Sequence, residues 1–170
     1  LNFRKDTPSG LHLLKPKMLI RYSPCSMRKE DEGFLLNPNL AFNMSRLSNN
    51  KNFEKGLNTT IGIDYNIRKD EKEFDFSLAQ IINEKENKKM ASKTSLDEKL
   101  SDLVGSANYN LNENLNIRYN FAIDQNLNQF NYNEMGADLN FDPFNINFNF
   151  LEENKHIGDQ KYLNTKIDYT

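Results

Sequence analysis

Hydrophobic and polar residues alternate along much of the chain, and the segment 115–124 is the clearest example. Its large apolar residues occupy every second position: Leu115, Ile117, Tyr119, Phe121 and Ile123. The residues between them are mostly polar: Asn116, Arg118, Asn120, Ala122 and Asp124. Because successive side chains of a β-strand point to opposite faces, this period of two predicts a strand with one apolar and one polar face.

The segment 144–151 repeats this alternation. Its apolar positions are Phe144, Ile146, Phe148 and Phe150. The positions between them are Asn145, Asn147 and Asn149. Strands of about ten residues are long for a soluble sheet, but they match the roughly 9–11 residues that cross a bilayer at a tilt. We therefore predict that the apolar residues of both segments face lipid and that the polar residues, Asp124 included, face a hydrated lumen.

The same reasoning along the whole chain predicts an all-β fold, an antiparallel up-and-down meander of about eight strands that forms part of a large outer-membrane β-barrel. The predicted strands are 18–22 (with a start as early as 11), 57–67, 74–83, 102–111, 115–124, 130–141, 144–151 and 162–169. Pro16 is expected at a sheet edge or a bulge, because proline has no N–H to donate. A slip of the apolar register between Tyr132 and Met135 predicts a second bulge.

The predicted connections alternate in length. Long or moderately long ones cover 23–55, 84–100, 125–129 and 152–161, and short ones cover 68–73, 112–114 and 142–143. Outer-membrane barrels show this asymmetry, with tight periplasmic turns and larger exterior loops. The first long connection also contains an apolar stretch, 40–47, that is expected to form a short helix or strand. Because the alternation reaches the end of the chain, we expect residues 1–170 to be one partial barrel domain, truncated at both ends.

The composition favours strands over helices as the membrane-crossing elements. Only 37% of the 170 residues are hydrophobic, mean hydropathy is −0.79, and no run of 18 apolar residues occurs. Such a sequence excludes transmembrane helices, whereas barrel strands are half polar by construction. Asparagine, normally depleted in strands, occurs 27 times. Both a lumen lined with amides and a compositional bias of the source genome account for this abundance.

The charged and chemically reactive residues point to no enzyme. Net charge is −2 and no basic patch stands out, which argues against a nucleic-acid partner. Cys25 is the single cysteine and has no partner for an internal disulfide. His12 and His156 are isolated, without metal-ligand spacing. We predict no catalytic residue, metal site or cofactor, and we interpret the acidic run 30–32 as an ordinary solvated loop.

Five segments carry a further signal: 16–24 (PKMLIRYSP), 39–48 (NLAFNMSRLS), 56–65 (GLNTTIGIDY), 76–80 (FSLAQ) and 96–105 (LDEKLSDLVG). In this order they resemble the barrel domain of LptD, the lipopolysaccharide-assembly family of the Gram-negative outer membrane. Their order and spacing resemble the second half of that barrel, and the resemblance covers nearly the whole chain. The chain departs from the family pattern at 46–49 (RLSN), where an Arg-Phe-Ser-Gly type turn is common. It also lacks the adjacent cysteine pair of some members, so the disulfide-controlled maturation of those members is not carried over to this chain.

The resemblance implies a function in lipopolysaccharide transport and insertion into the outer leaflet of the outer membrane. In that family the barrel is plugged by a lipoprotein partner (LptE-like) and receives lipopolysaccharide from a periplasmic bridge protein (LptA-like). The cargo leaves through a seam between the first and last strands, and this chain would contribute interior strands. Two alternatives stay open: another outer-membrane barrel, such as a porin or nutrient transporter, and a soluble all-β binding module whose apolar face meets a second sheet.

Overall fold

Nine antiparallel strands form a single sheet in which each strand pairs with its neighbours in sequence. The computed structural model describes residues 2–31, 33–47, 52–155 and 158–169. The strands are β1 (Phe3–Thr7), β2 (Gly10–Ser23), β3 (Gly56–Lys69), β4 (Lys72–Asn83), β5 (Leu103–Asn112), β6 (Leu115–Ile123), β7 (Phe130–Phe141), β8 (Phe144–Glu153) and β9 (Gln160–Tyr169). The predicted all-β, up-and-down meander is confirmed, and the sheet is open within these residues.

The additional strand, β1, lies at the start of the chain. Its sequence, FRKDT, has one large apolar residue, so the alternation that reveals the other strands is missing. β1 pairs only with the first part of β2, from Gly10 to Leu14. Pro16 lies beyond that pairing and has Ile63 of β3 as its partner, in regular register. The expected edge position of Pro16 is therefore confirmed, and no bulge is present there.

The bulge predicted between Tyr132 and Met135 is wrong in its position. These residues pair regularly with β6, and the irregularity lies earlier, between the pairs Ala122–Tyr132 and Ile123–Phe130. Asn131 is the extra residue. Tyr132 therefore belongs to the polar face of the sheet, where it packs against the buried core. The apparent slip in the sequence arises because Tyr132 is an aromatic residue on the polar face.

The connections segregate by length at the two ends of the sheet, as predicted. Two-residue turns join β1 to β2, β3 to β4, β5 to β6 and β7 to β8. The opposite end carries the connections 24–55, 84–102, 124–129 and 154–159. The turn after β5 is closed by Asn112, whose side-chain oxygen accepts hydrogen bonds from the backbone N–H groups of Asn114 and Leu115.

The described parts of the two longest connections fold back over the polar face of the sheet, and we call them the loop layer: residues 24–31, 33–47, 52–55 and 84–102. The stretch at 40–47 contributes part of one helical turn, α1 (Pro38–Ala41), capped by Asn37, whose Oδ1 accepts the Leu40 N–H at 2.8 Å. The buried apolar core lies between this layer and the sheet: Met27, Leu36, Ala41, Leu47, Ala79, Ile81, Met90, Leu96, Val104 and Ala122. Full burial of one of the Met, Leu, Ile or Val side chains among them contributes about 1.5–3 kcal/mol.

The core lies on the polar face alone, and the apolar face of the sheet is left uncovered. Many large side chains of that face are exposed, among them Met18, Ile20, Ile61, Met135, Phe144, Leu163 and Ile167. In the described part of the chain, none of the helices is long and apolar enough to cross a membrane. An uncovered apolar sheet face of this extent indicates a contact with something other than water.

Candidate functional site

The residues predicted to face lipid share one face of the sheet. Those of β6 pair through β7 with those of β8: Tyr119 opposes Met135, which opposes Phe150. Aromatic rings meet within this surface, with centroids 5.6 Å apart for Tyr119 and Phe121 and 5.4 Å apart for Phe144 and Tyr169. We call this surface the apolar band. The structure places these residues together, and their contact with lipid stays a prediction.

The apolar band crosses the sheet diagonally. On β3 the apolar residues run from Leu57 to Ile67, so the midpoint of the band falls at position 62. On β8 they run from Phe144 to Phe150, so the midpoint falls at position 147. A row of directly paired residues that starts at Asn147 of β8 reaches β3 at Arg68, which is six residues from the midpoint of the band at Gly62. The strands rise about 3.3 Å per residue and lie about 4.8 Å apart, and β3 and β8 are five spacings apart. The band is therefore inclined by about 40° to the rows of paired residues, which corresponds to strands tilted by about 40° from the normal of the band.

Amides and charged side chains on the opposite face form hydrogen-bonded groups near the two-residue turns, and together we call these groups the polar belt. Its members are Asn66, Asp75, Asn108, Asn116, Arg118, Asp138, Asn147 and Asn149. Asn116 donates to Asn108 at 3.1 Å. Arg118 and Asn147 both contact the Asp138 carboxylate. The belt therefore presents both donors and acceptors, with its charges largely paired.

Of the residues predicted to face the lumen, all but Asp124 lie on the polar face of the sheet. They are Asn116, Arg118, Asn120, Asn145, Asn147 and Asn149. Asn120 donates to Glu134 Oε2 at 2.9 Å. Asp124 differs, because it follows the last residue of β6 and its carboxylate accepts the backbone N–H of Asn128 at 2.7 Å. It organises the 124–129 loop. Contact of any of these residues with a hydrated lumen stays a prediction.

Several charged residues of the same face were not among the predicted site residues. Lys17 of β2 pairs with Asp64 of β3 at 2.8 Å, and Ser77 donates to the same carboxylate at 2.9 Å. Each of these residues lies between two residues of the apolar face on its own strand. The same period of two could therefore have identified them. They extend the polar surface toward β2.

The remaining candidates are structural. His12 Nδ1 lies 2.7 Å from the Tyr65 hydroxyl, and His156 lies outside the described residues. In the acidic run 30–32, buried Glu30 accepts a hydrogen bond from Asn52 at 2.8 Å, Asp31 pairs with Lys29, and residue 32 is also outside the described part. Within the ranges that the structure describes, no cluster of three His, Cys, Asp or Glu side chains could hold a metal ion. Cys25 is free and exposed.

The Asp124 loop gives a pH-dependent prediction. Hydrogen bonds from the backbone N–H groups of Asn128 and Gln129 lower the pKa of Asp124 below its ordinary value of 3.8. A lowered folded-state pKa means that the ionised form stabilises the loop above the ordinary pKa, and that this contribution disappears as the pH falls through the lowered value. We expect the amide protons of Asn128 and Gln129 to lose protection against hydrogen exchange below about pH 4. Asp124→Asn should weaken their protection at neutral pH and remove the acid transition, and an unchanged profile would contradict this role.

The family described as LptD, LPS transport system D, matches residues 1–170. No curated protein matches the chain. Because the family match extends over the whole sequence, the chain belongs to the LptD family of lipopolysaccharide transport proteins.

Proposed function

We propose that residues 1–170 form part of the C-terminal transmembrane β-barrel domain of an LptD protein in the Gram-negative outer membrane. The observation that carries this proposal is the diagonal apolar band. Its slope corresponds to a strand tilt of about 40°, within the roughly 35–45° typical of outer-membrane barrels. A membrane slab of constant thickness crosses tilted strands in this way, whereas the buried face of a soluble sandwich has no such requirement.

The two faces would then serve two environments. The apolar band would contact the acyl chains of the membrane, including Leu115, Ile117, Tyr119, Phe121, Ile123, Phe144, Ile146, Phe148 and Phe150. The polar belt would line the lumen, where its amides and paired charges suit the hydroxyl-rich sugars of lipopolysaccharide. The protein would work without covalent chemistry or a cofactor. It would provide a low-energy path for lipopolysaccharide, and the energy for transport would be supplied elsewhere.

Family membership supports lipopolysaccharide as the cargo and its insertion into the outer leaflet as the outcome. The partners we infer are a plug lipoprotein inside the barrel, a periplasmic bridge protein that delivers lipopolysaccharide, and the surrounding outer-membrane lipid. The alternating sheet alone suits a porin or nutrient transporter equally well. The LptD match distinguishes lipopolysaccharide transport from those barrels, and from a soluble binding module.

Substitutions on the two faces of β8 should have unequal costs. Phe148 lies in the middle of the apolar band, so Phe148→Arg should destabilise the barrel by about 2–4 kcal/mol if the residue lies near the bilayer midplane. The neighbouring Asn147→Arg, which points to the polar face, is the matched control and should cost much less. Denaturant unfolding of the full-length protein in lipid measures both. Equal costs would contradict the assignment of faces.

Depletion of the full-length protein in its host tests the cargo. We expect newly made lipopolysaccharide to stop reaching the cell surface, as followed by surface labelling, while uptake of small solutes is initially unchanged. Normal surface lipopolysaccharide together with reduced solute uptake would instead identify a porin or nutrient transporter.

A further inference from the structure

Three lysines share the apolar face of the sheet at the end that carries the two-residue turns. Lys69 and Lys72 flank the turn between β3 and β4 and are directly paired across the ladder. Lys5 of β1 is paired with His12 of β2, whose neighbour on β3 is Ile67. The side chains of all three lysines are exposed. We call these lysines the basic rim, because they lie just beyond the apolar band.

The charge of the basic rim is not neutralised by the protein. In the part of the chain that the structure describes, none of its lysines forms a salt bridge. The carboxylates of Asp6 and Glu73 lie on the polar face, where they pair with Arg4 and Arg68. Like charges directly opposite each other on a ladder are destabilising. The paired lysines of β3 and β4 would therefore be stabilised by an anion from outside the chain.

The loop end of the same face has a different charge pattern. Its charged strand residues are Glu152 of β8 and Lys161 of β9, which are paired across the ladder and form a salt bridge. Among the described strands, the apolar face thus carries uncompensated positive charge only next to the two-residue turns. This asymmetry indicates a partner that carries negative charge and lies beside the apolar band at that end alone.

The basic rim lies at the depth expected for lipid headgroups. On β3 the midpoint of the apolar band falls at position 62, and Lys69 lies seven residues beyond it. With about 3.3 Å per residue and a tilt of about 40°, this separation corresponds to about 18 Å along the membrane normal. Half of a hydrocarbon core of about 30 Å is about 15 Å. The Lys69 side chain would therefore lie just outside the hydrocarbon, at the level of the headgroup phosphates.

Hydrogen-bond donors surround Lys69 at this rim. Its Nζ donates to the Pro8 carbonyl oxygen at 2.9 Å, which fixes the ammonium group and uses one of its three N–H donors. The hydroxyl groups of Thr7 and Ser9 lie 2.7 Å apart at the same turn. Both are within hydrogen-bond distance of His12 Nε2, at 2.9 and 3.1 Å. The turn between β1 and β2 thus places hydroxyl groups beside the lysines, a combination that suits a phosphate group.

An apolar depression lies on the same strands, farther from the turns. It has a volume of about 490 Å³, and its apolar lining includes Pro16, Ile61, Ile63 and Leu78. Ile63 is six residues from Lys69, or about 20 Å along the strand, which at a tilt of about 40° is about 15 Å along the membrane normal. One leaflet of the hydrocarbon core has this depth. A cationic rim and an apolar depression one leaflet apart fit a phospholipid better than a free anion.

We propose that the basic rim binds the phosphate of an anionic phospholipid, of the phosphatidylglycerol type, in the periplasmic leaflet that the short turns are predicted to face. The inference rests on the proposed function, because the apolar band meets acyl chains only in a membrane barrel. The ammonium groups contact the phosphate, and an acyl chain follows the apolar band toward the depression. The bound phosphate offsets the repulsion between Lys69 and Lys72 and fixes the depth of this sector in the bilayer.

Photo-crosslinking from the apolar face tests the proposal. Phe74 lies on that face, two residues from Lys72. The full-length protein with Phe74→p-benzoylphenylalanine is placed in bilayers of phosphatidylglycerol and phosphatidylcholine in equal amounts, and the lipid adducts are identified by mass spectrometry. We expect at least about fivefold more phosphatidylglycerol than phosphatidylcholine in the adduct, because one lysine near a membrane surface attracts anionic lipid by roughly that factor.

Substitutions separate the basic rim from the general charge of the protein. Lys69→Gln together with Lys72→Gln should lower the preference for phosphatidylglycerol at least about fivefold. Lys69→Arg together with Lys72→Arg should keep the preference, because guanidinium groups also bind phosphate. Lys15→Gln is the matched control, because Lys15 is an exposed lysine on the polar face of β2, and it should leave the preference unchanged. All the substituted lysines are exposed, and circular dichroism establishes that each variant keeps its strand content.

The lipid site and the proposed function fail on different results. Equal adducts of the two lipids in the parent, or an unchanged preference in the double glutamine variant, would overturn the lipid site. In intact outer membranes, an adduct with lipopolysaccharide in place of phospholipid would also overturn it, because the turns would then face the other leaflet. If the folded, reconstituted protein gives no lipid adduct of either kind from position 74, its apolar face does not meet lipid and the proposed function fails.

Discussion

The register of the antiparallel ladder is the constraint on which the rest of this structure depends. Paired residues on neighbouring strands share a face, so a slip of one residue anywhere would mix apolar and polar side chains. The irregularities at Leu111 and Asn131 lie at strand ends, where they leave the separation of faces intact. Because register is kept over nine strands, one surface is predominantly apolar and the other collects most of the amides and charges.

The polar face of the sheet is divided into two regions along the strands. Near the two-residue turns it carries the polar belt, in which Asn116, Arg118 and Asp138 are linked to neighbours on adjoining strands. Toward the other end, small and apolar side chains such as Ala79 and Val104 lie beneath the loop layer and are fully buried. The polar face therefore carries hydrogen-bonded polar groups at the turn end and a packed apolar core at the loop end.

Strong alternation made most of the fold predictable from the sequence. The segments now seen as β6 and β8 were recognisable because every second residue is large and apolar. β1 was not, since Phe3 alone marks its apolar side. The loop layer escaped prediction because it has no period. Its partners on the wall, Ala79 and Ile81 among them, reveal their role only when the loops are in place. Asp124 continues the alternation of β6 and is therefore predicted on a strand, but local backbone N–H groups hold its carboxylate in a loop.

The most direct test of the two-faced wall is a scan of spin labels along β8 of the full-length protein in lipid bilayers. Labels at 144, 146, 148 and 150 should collide with oxygen, which concentrates in lipid, and labels at 145, 147 and 149 should collide with a water-soluble nickel complex. A period of two in these accessibilities, with opposite phase for the two reagents, is the predicted result. Equal access of the nickel complex to both sets would contradict an apolar band in contact with membrane.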